Sequence, residues 1–318
     1  MDRRRLVGAL LAAVAACAYG TGPLFVKSVY AAGDDWLDVV YWRFLIGVLL
    51  LWALVLLVRS NRAGLRALTR RQALAALGLG VFFILNTSTF YAGLQWVSAS
   101  LASLMIYTYP AVVAVLSIRW GHGLHGRRPW LALVIVLAGV ALTVGGQATR
   151  AEPIGIVLLI VSPLFYAVYI LLSARFAGER RGVTAHERTE GAVVPPVVVA
   201  AVMLVGTAAV STSMAAVGGR AMLPWQIPPD AVMGLIGIGV VSTALAVSAF
   251  YSGSARIGAA NASLVATVEP LWTISLAMIF FGESLTPMQV LGGALILGGV
   301  VLAQTTPGTT VAEVREDF

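Results

Sequence analysis

An acidic side chain inside an apolar stretch is the first residue whose chemistry needs explaining. Glu269 is the only charged residue in the run 259–281 and stands near its middle. A charge at the centre of a bilayer costs about 2.5–3.5 kcal/mol on insertion scales, so such residues face a cavity and mark a substrate or proton path. A carboxyl group there could bind a cationic group or carry a proton. It could equally cap backbone groups that Pro270 leaves without partners. The residues leave both roles open. Pro110 precedes Pro270 by 160 positions. Each removes a helix hydrogen bond, and membrane helices keep such residues where a cavity or neighbour satisfies the freed carbonyl. A kink lining a central path is expected at both.

Other polar groups fall in or beside apolar runs. Lys27, near the outer end of the first run, could bind a substrate carboxylate, although lysine at a helix end usually snorkels to the interface. Snorkelling is the expectation. Arg43, early in the second run, is expected to be structural, paired with Asp38 or with backbone carbonyls at the outer rim. The polar run Asn86-Thr87-Ser88-Thr89 suits hydrogen bonds between helices as well as ligand contacts, so Asn86 is kept as a binding candidate. Tyr19, Tyr107, Tyr109, Tyr166, Tyr251 and Trp272 could line an aromatic cavity. Trp36, Trp42, Trp120 and Trp130 suit an interfacial aromatic belt.

Catalytic chemistry is poorly served. Asp34-Asp35 has no second Asp-Asp pair, His122, His125 and His186 occupy loops without obvious ligand partners, and no phosphate-binding Gly-x-x-x-x-Gly-Lys run exists. One cysteine, Cys17, excludes an internal disulfide and a cysteine-based zinc site. No enzyme activity, cofactor or metal is expected. A net charge of +7 could suggest nucleic acid, but the arginines sit in short segments between apolar runs rather than in one basic patch.

The elements that must position these residues are apolar helices. Of 318 residues, 59% are hydrophobic and 11% charged, with a mean hydropathy of +0.90. A soluble domain carries roughly 25% charged residues. The apolar residues fall into runs of about 20, enough to cross about 30 Å of hydrocarbon. Ten spans are predicted, near 6–29, 37–58, 73–95, 99–118, 129–146, 153–174, 191–210, 229–252, 259–281 and 287–304. Arg3-Arg4-Arg5 and the apolar residues up to Cys17 imitate a lipoprotein signal, but the run continues to about Val29, too long for a signal core. Seventeen of the 20 arginines fall at the amino terminus, in alternate loops and in the tail, against Arg150 and Arg220 on the other side. Both termini are therefore expected in the cytoplasm.

A shift of 160 residues aligns the halves without a gap. Phe90-Tyr91-Ala92-Gly93 falls on Phe250-Tyr251-Ser252-Gly253, Ala102-Ser103-Leu104 on Ala262-Ser263-Leu264, and Leu137-Ala138-Gly139-Val140 on Leu297-Gly298-Gly299-Val300. Five spans per half is an odd number, so the second half enters the membrane from the opposite face. Inverted repeats of this kind place a binding site near the midplane, between halves that can rock.

The second half reads Ala262-Ser263-Leu264, Glu269-Pro270-Leu271-Trp272, Phe281-Gly282-Glu283-Ser284-Leu285-Thr286 and Gly292-Gly293-Ala294-Leu295-Ile296-Leu297-Gly298-Gly299. This resembles the EamA repeat of the drug/metabolite transporter superfamily, and Arg43-Phe44 fits as well. The resemblance covers nearly the whole chain. It implies ten helices in two repeats, expected at residues 1–146 and 147–304, followed by a cytoplasmic tail, 305–318. The first repeat departs from the pattern: Tyr109 replaces the acidic residue before proline, and Gly121-His122-Gly123-Leu124 lacks the counterpart of Glu283.

The expectation is an all-α membrane protein of the inner membrane that exports small metabolites, amino acids or related compounds or drugs, by alternating access with proton coupling. The rival readings are a translocator of lipid or lipid-linked sugar, and a membrane scaffold or accessory subunit that moves nothing. Oligomeric state is left open.

Overall fold

Large apolar side chains cover the outside of this molecule as well as its interior. Leu57, Ile279 and Phe280 are 80%, 74% and 63% exposed. Helices apolar on every face belong in a bilayer, where an outward leucine meets lipid rather than water. The computed structural model describes residues 3–119, 128–145, 152–176, 194–220 and 222–304. The expectations for Trp120, Gly121–Leu124, His125, Arg150, His186, the 146/147 boundary and the tail 305–318 lie outside the described residues.

Fifteen α-helices and no strand occur among the described residues. They are α1 (Arg3–Gly20), α2 (Gly22–Ala31), α3 (Trp36–Leu57), α4 (Arg59–Ala67), α5 (Arg70–Leu94), α6 (Ala99–Ile106), α7 (Tyr109–Arg119) and α8 (Arg128–Gly145). After these come α9 (Pro153–Phe176), α10 (Pro196–Val217), α11 (Pro229–Gly239), α12 (Ala246–Ile257), α13 (Ala259–Ala266), α14 (Val268–Phe281) and α15 (Pro287–Gln304). A π-helical stretch, Val240–Leu245, joins α11 to α12. Among the described residues, seven helical segments are long and apolar enough to cross a membrane: Arg3–Ala31, Trp36–Leu57, Arg70–Leu94, Pro153–Ser173, Pro196–Val217, Pro229–Ile257 and Leu264–Phe281. Three more, Ala99–Val113, Trp130–Thr143 and Pro287–Leu302, are apolar but shorter.

Local chemistry sets the helix starts. Asp35 and Asp38 form a capping box for α3, and Thr69 and Gln72 one for α5. Proline opens α9, α10, α11 and α15, where its missing N–H has no intrahelical role. The seventh predicted span, 191–210, is displaced: α10 begins at Pro196 and continues to Val217. Ser211 and Ser213 lie within it because their hydroxyls bond back to the Ala208 and Ala209 carbonyls, which hides their polarity inside the helix. The basic loop after the second span contains the short helix α4 rather than irregular chain.

Packing pairs helices far apart in sequence. α5 lies against α9 and α10, α12 against α1, α3 against α10 and α11, and α8 against α15. Two crossings are built alike. Gly93 of α5 meets Gly155 of α9, and Gly253 of α12 meets Gly8 of α1; a Cβ on any of these four would lie 2.9–3.4 Å from the opposing glycine's carbonyl oxygen. Gly93 and Gly253 are 160 positions apart. Small residues at such points let helix backbones approach in a medium that offers no hydrophobic drive between them.

Candidate functional site

Four membrane segments are interrupted, and the interruptions meet. α1 gives way to α2 at Thr21, α6 to α7 at Tyr107–Thr108, and α13 to α14 at Thr267, while the π-helical stretch divides α11 from α12. Pro110 and Pro270 explain two of these. A helical N–H normally bonds the carbonyl four residues back, so proline strands the Ile106 and Ala266 carbonyls. The helices are interrupted at both positions, for two residues at Tyr107–Thr108 and for one at Thr267. Both prolines lie in the first turn of a new helix, where the missing N–H costs little.

Side chains stitch the breaks together. Thr273 Oγ1 donates to the Gly20 carbonyl at 2.9 Å, and Trp272 Nε1 to Thr21 Oγ1 at 3.1 Å, which holds α14 against the α1–α2 break. Ser242 Oγ donates to the Ala18 carbonyl at 2.8 Å, which brings the π-helical stretch to the same place. Tyr107 Oη lies 2.6 Å from the Ala266 carbonyl and 3.0 Å from Glu269 Oε2. Irregular backbone at membrane depth is tolerated where protein or a cavity satisfies it, and here it gathers around Glu269.

Arg43 stands in the interior, and the pairing expected with Asp38 is absent. Its Nε donates to Thr243 Oγ1 at 2.9 Å, Nη2 to the Ser242 carbonyl at 3.4 Å, and Nη1 to the Tyr91 hydroxyl. Its guanidinium carbon lies 5.4 Å and 5.2 Å from the Phe44 and Tyr91 ring centres. Five residues along a helix turn a side chain by about 140°, so Asp38 and Arg43 face different ways. Asp38 instead accepts from the Asp35 amide and pairs with Arg220, which also pairs with Asp35. Beside them, burial and the neighbouring Asp35 charge push the Asp34 carboxyl above its usual range, against the pull of Arg220.

Glu269 and Arg43 act on each other electrostatically but share no hydrogen bond. An aromatic run links their surroundings. Tyr107 meets Tyr109 (6.1 Å between ring centres), Tyr109 meets Tyr166 (4.7 Å), and Tyr166 stacks on Tyr169 (5.8 Å). Tyr169 meets Phe83 (5.3 Å), and Phe83 meets Phe44 (5.9 Å) beneath Arg43. Tyr19, Tyr109, Tyr166, Tyr169, Tyr251 and Glu269 lie deep in the bundle. Each keeps part of its surface accessible. Together they make a tyrosine-rich surface beside Glu269.

The remaining candidates lie elsewhere. Asn86 is buried between α5 and α9, where its Nδ2 donates to the Ser162 hydroxyl and carbonyl at 2.9 and 3.0 Å. Its side chain closes a helix contact. Trp272 is 40% exposed and seals the Thr21 break rather than sitting within the aromatic run. Lys27 does not snorkel: it is half-buried, and Nζ donates to the Val97 carbonyl at 2.7 Å. It lines a separate cavity of about 350 Å³ with Trp96, Ser98, Ser100 and Glu283. Cys17 lies within α1, half-buried. Among the described residues no cluster of three His, Cys, Asp or Glu side chains is placed to hold a metal.

Sequence reasoning missed Tyr91, Tyr169, Ser242, Thr243 and Glu283. Tyr91 carried a signal, because it falls on Tyr251 in the 160-residue alignment. Glu283 also did, through its missing counterpart in the first repeat. Its carboxylate accepts from the Ala99 and Ser100 amides at 2.8 and 3.0 Å and so caps α6 from the far end of the chain. Glu283→Ala is expected to cost about 1–2 kcal/mol. Thermal unfolding of the purified protein should show this as a lower midpoint; an unchanged midpoint would remove the cap from the account.

Interrupted helices thus converge on an acid, Glu269, and a buried arginine, Arg43. The chain belongs to the EamA-like transporter family, whose model matches residues 6–145 and again 153–305. An uncharacterized transporter of Archaeoglobus fulgidus is 29% identical over 291 residues, 89% of this chain and 91% of that protein. The uncharacterized transporter YcbK of Bacillus subtilis is 26% identical over 314 residues, 95% and 93% of the two chains. The threonine/homoserine exporter RhtA of Escherichia coli is 27% identical over 246 residues, 76% and 73%. A solved crystal structure superposes with a TM-score of 0.61 over 93% of this chain and 96% of that one, at 19% identity, a likeness of fold alone. The family and these relatives are transporters, not enzymes. This is a multi-pass membrane transporter for a small-molecule substrate.

Proposed function

We propose that the chain is a secondary transporter of the inner membrane that exports small metabolites of the amino-acid class by alternating access, with Glu269 as the proton-coupling acid. Its ten helices form two inverted five-helix repeats, residues 1–146 and 147–304, with both termini and the tail 305–318 cytoplasmic. The meeting of four helix breaks around Glu269 carries this reading. The repeated family match, the paired glycine crossings and the arginine bias support the repeat and its orientation. The substrate class is supported by the name of RhtA and by the site's charges. An amino acid carries an ammonium and a carboxylate, and Glu269 and Arg43 offer the opposite charges near the two ends of a tyrosine-lined wall. The test is flux in proteoliposomes with a panel of amino acids and cationic drugs, with and without a pH gradient. Saturable, gradient-driven movement of threonine or homoserine is expected, and Glu269→Gln should lose the gradient-driven part. Absence of saturable flux for the whole panel would sink transport of these classes, and unchanged accumulation in Glu269→Gln would sink proton coupling.

A further inference from the structure

The stranded carbonyl and the acid share one phenol. Pro270 has no N–H for the Ala266 carbonyl, and the Tyr107 hydroxyl fills that place at 2.6 Å. The same hydroxyl oxygen lies 3.0 Å from Glu269 Oε2. A phenol donates one proton, and a carbonyl only accepts. Both contacts are hydrogen bonds at once only when Glu269 is a neutral acid that donates to the Tyr107 oxygen. When Glu269 is a carboxylate, the hydroxyl has an acceptor on each side and a single proton. The charged acceptor forms the stronger bond, so the hydroxyl turns to Glu269 and the Ala266 carbonyl loses its donor.

From these contacts we propose that Tyr107 is a positioning residue for proton coupling, its hydroxyl proton switching between the Ala266 carbonyl and Glu269 according to the charge of the acid. The proposal rests on Glu269 being the coupling acid. The one bond broken is the Glu269 O–H bond, whose proton passes to a water molecule as hydronium, while the Tyr107 O–H bond stays intact and only reorients. An ionised Glu269 leaves an unsatisfied carbonyl at the α13–α14 break, which favours any arrangement of the halves that gives it another donor. Tyr107 lies in the first family match and Ala266 and Glu269 in the second, so the switch acts between the parts that must move. The other titratable groups facing Glu269 are Tyr19 on α1, Arg43 on α3, Tyr109 on α7 and Tyr166 on α9. Tyr107 alone among these described groups is hydrogen-bonded to the Glu269 carboxyl or to the Ala266 carbonyl.

The test reads the Ala266 carbonyl directly. Full-length protein labelled with carbonyl-13C alanine is reconstituted in liposomes, and the Ala266 signal, assigned by its loss in Ala266→Gly, is followed by solid-state NMR against pH. Glu269→Gln imitates the neutral acid, because its amide donates to Tyr107, and should hold the carbonyl in its bonded position at every pH. Tyr107→Phe should hold it in the unbonded position. The wild-type signal is expected to move from the first position to the second as pH rises, and Tyr107→Phe should lose gradient-driven threonine accumulation. A wild-type signal that ignores pH, or a pH response that survives in Tyr107→Phe, overturns the switch while leaving Glu269 as the coupling acid. Accumulation retained by Glu269→Gln overturns the reading beneath it instead.

Discussion

Arg43→Leu is expected to abolish transport at temperatures where the protein is still folded, and Arg43→Lys to restore little of it. The guanidinium reaches from α3 to the Tyr91 hydroxyl on α5 and to Thr243 and the Ser242 carbonyl in the π-helical stretch. It thus fixes the geometry among three elements and provides the cation that acts on Glu269. Charge-assisted hydrogen bonds contribute about 1.5–3 kcal/mol each. Because about 1.4 kcal/mol is a tenfold change in an equilibrium, losing two of them corresponds to a fall of about a hundredfold or more. Lysine keeps the charge but presents a point rather than a planar fork, so it cannot serve three partners in different directions. Thr243 Oγ1 keeps its own bond to the Ile238 carbonyl at 3.0 Å, and Ser242 Oγ still ties the π-helical stretch to the Ala18 carbonyl, so these elements stay joined without Arg43. Removing one member of a buried polar cluster lowers stability by about 3–5 kcal/mol, so the unfolding midpoint should fall, and flux is compared at temperatures where the variant remains folded. Thermal unfolding measured beside proteoliposome flux separates the two quantities. Wild-type flux in Arg43→Lys would show that charge alone is required, and wild-type flux in Arg43→Leu would return Arg43 to a packing role.

Gly80→Val is expected to destabilise the fold. A Cβ on Gly80 would run into the Met203 carbonyl of α10 and lie 2.8 Å from the Thr207 amide nitrogen and 3.0 Å from Thr207 Oγ1. Two of those obstacles are backbone, so relief requires the helices to part. The Thr207 hydroxyl bonds the Gly80 carbonyl at 3.1 Å in the same contact and would be lost with it. Overpacking of a core costs about 1–3 kcal/mol, and more where backbone must shift. Each kcal/mol lowers the unfolding midpoint by about 2–4 °C in chains of 150–250 residues. Gly78 is the internal control: two positions away on α5, a Cβ there would meet nothing within 4 Å. Gly78→Val should unfold like the wild type, and Gly80→Val should be several degrees lower or fail to elute as folded protein. Equal behaviour of the two would refute the close crossing.

The residues that spoke for themselves in the sequence are those whose meaning is local. Runs of apolar residues long enough for a bilayer announce helices there, since no water satisfies an unpaired backbone group within it. Pro110 and Pro270 announced interruptions, because a missing N–H acts on a carbonyl only four residues away. The interruptions fall just before those prolines, at Tyr107–Thr108 and at Thr267. Glu269 was legible as a lone charge in an apolar run. The identity of its partner was not, because Tyr107 is 162 positions distant.

Tertiary structure decided which face each helix presents, and so who meets whom. It turned Arg43 away from nearby Asp38 toward Thr243, 200 positions off, and spent Asn86 on Ser162 in a helix contact. It placed Glu283 on the start of α6 and gave Lys27 a carbonyl instead of the interface. The physical reason is the same in each case. Hydropathy depends on composition along one segment, whereas the partner of a buried polar group depends on the rotation and crossing of two helices, set by close contacts such as Gly93 on Gly155.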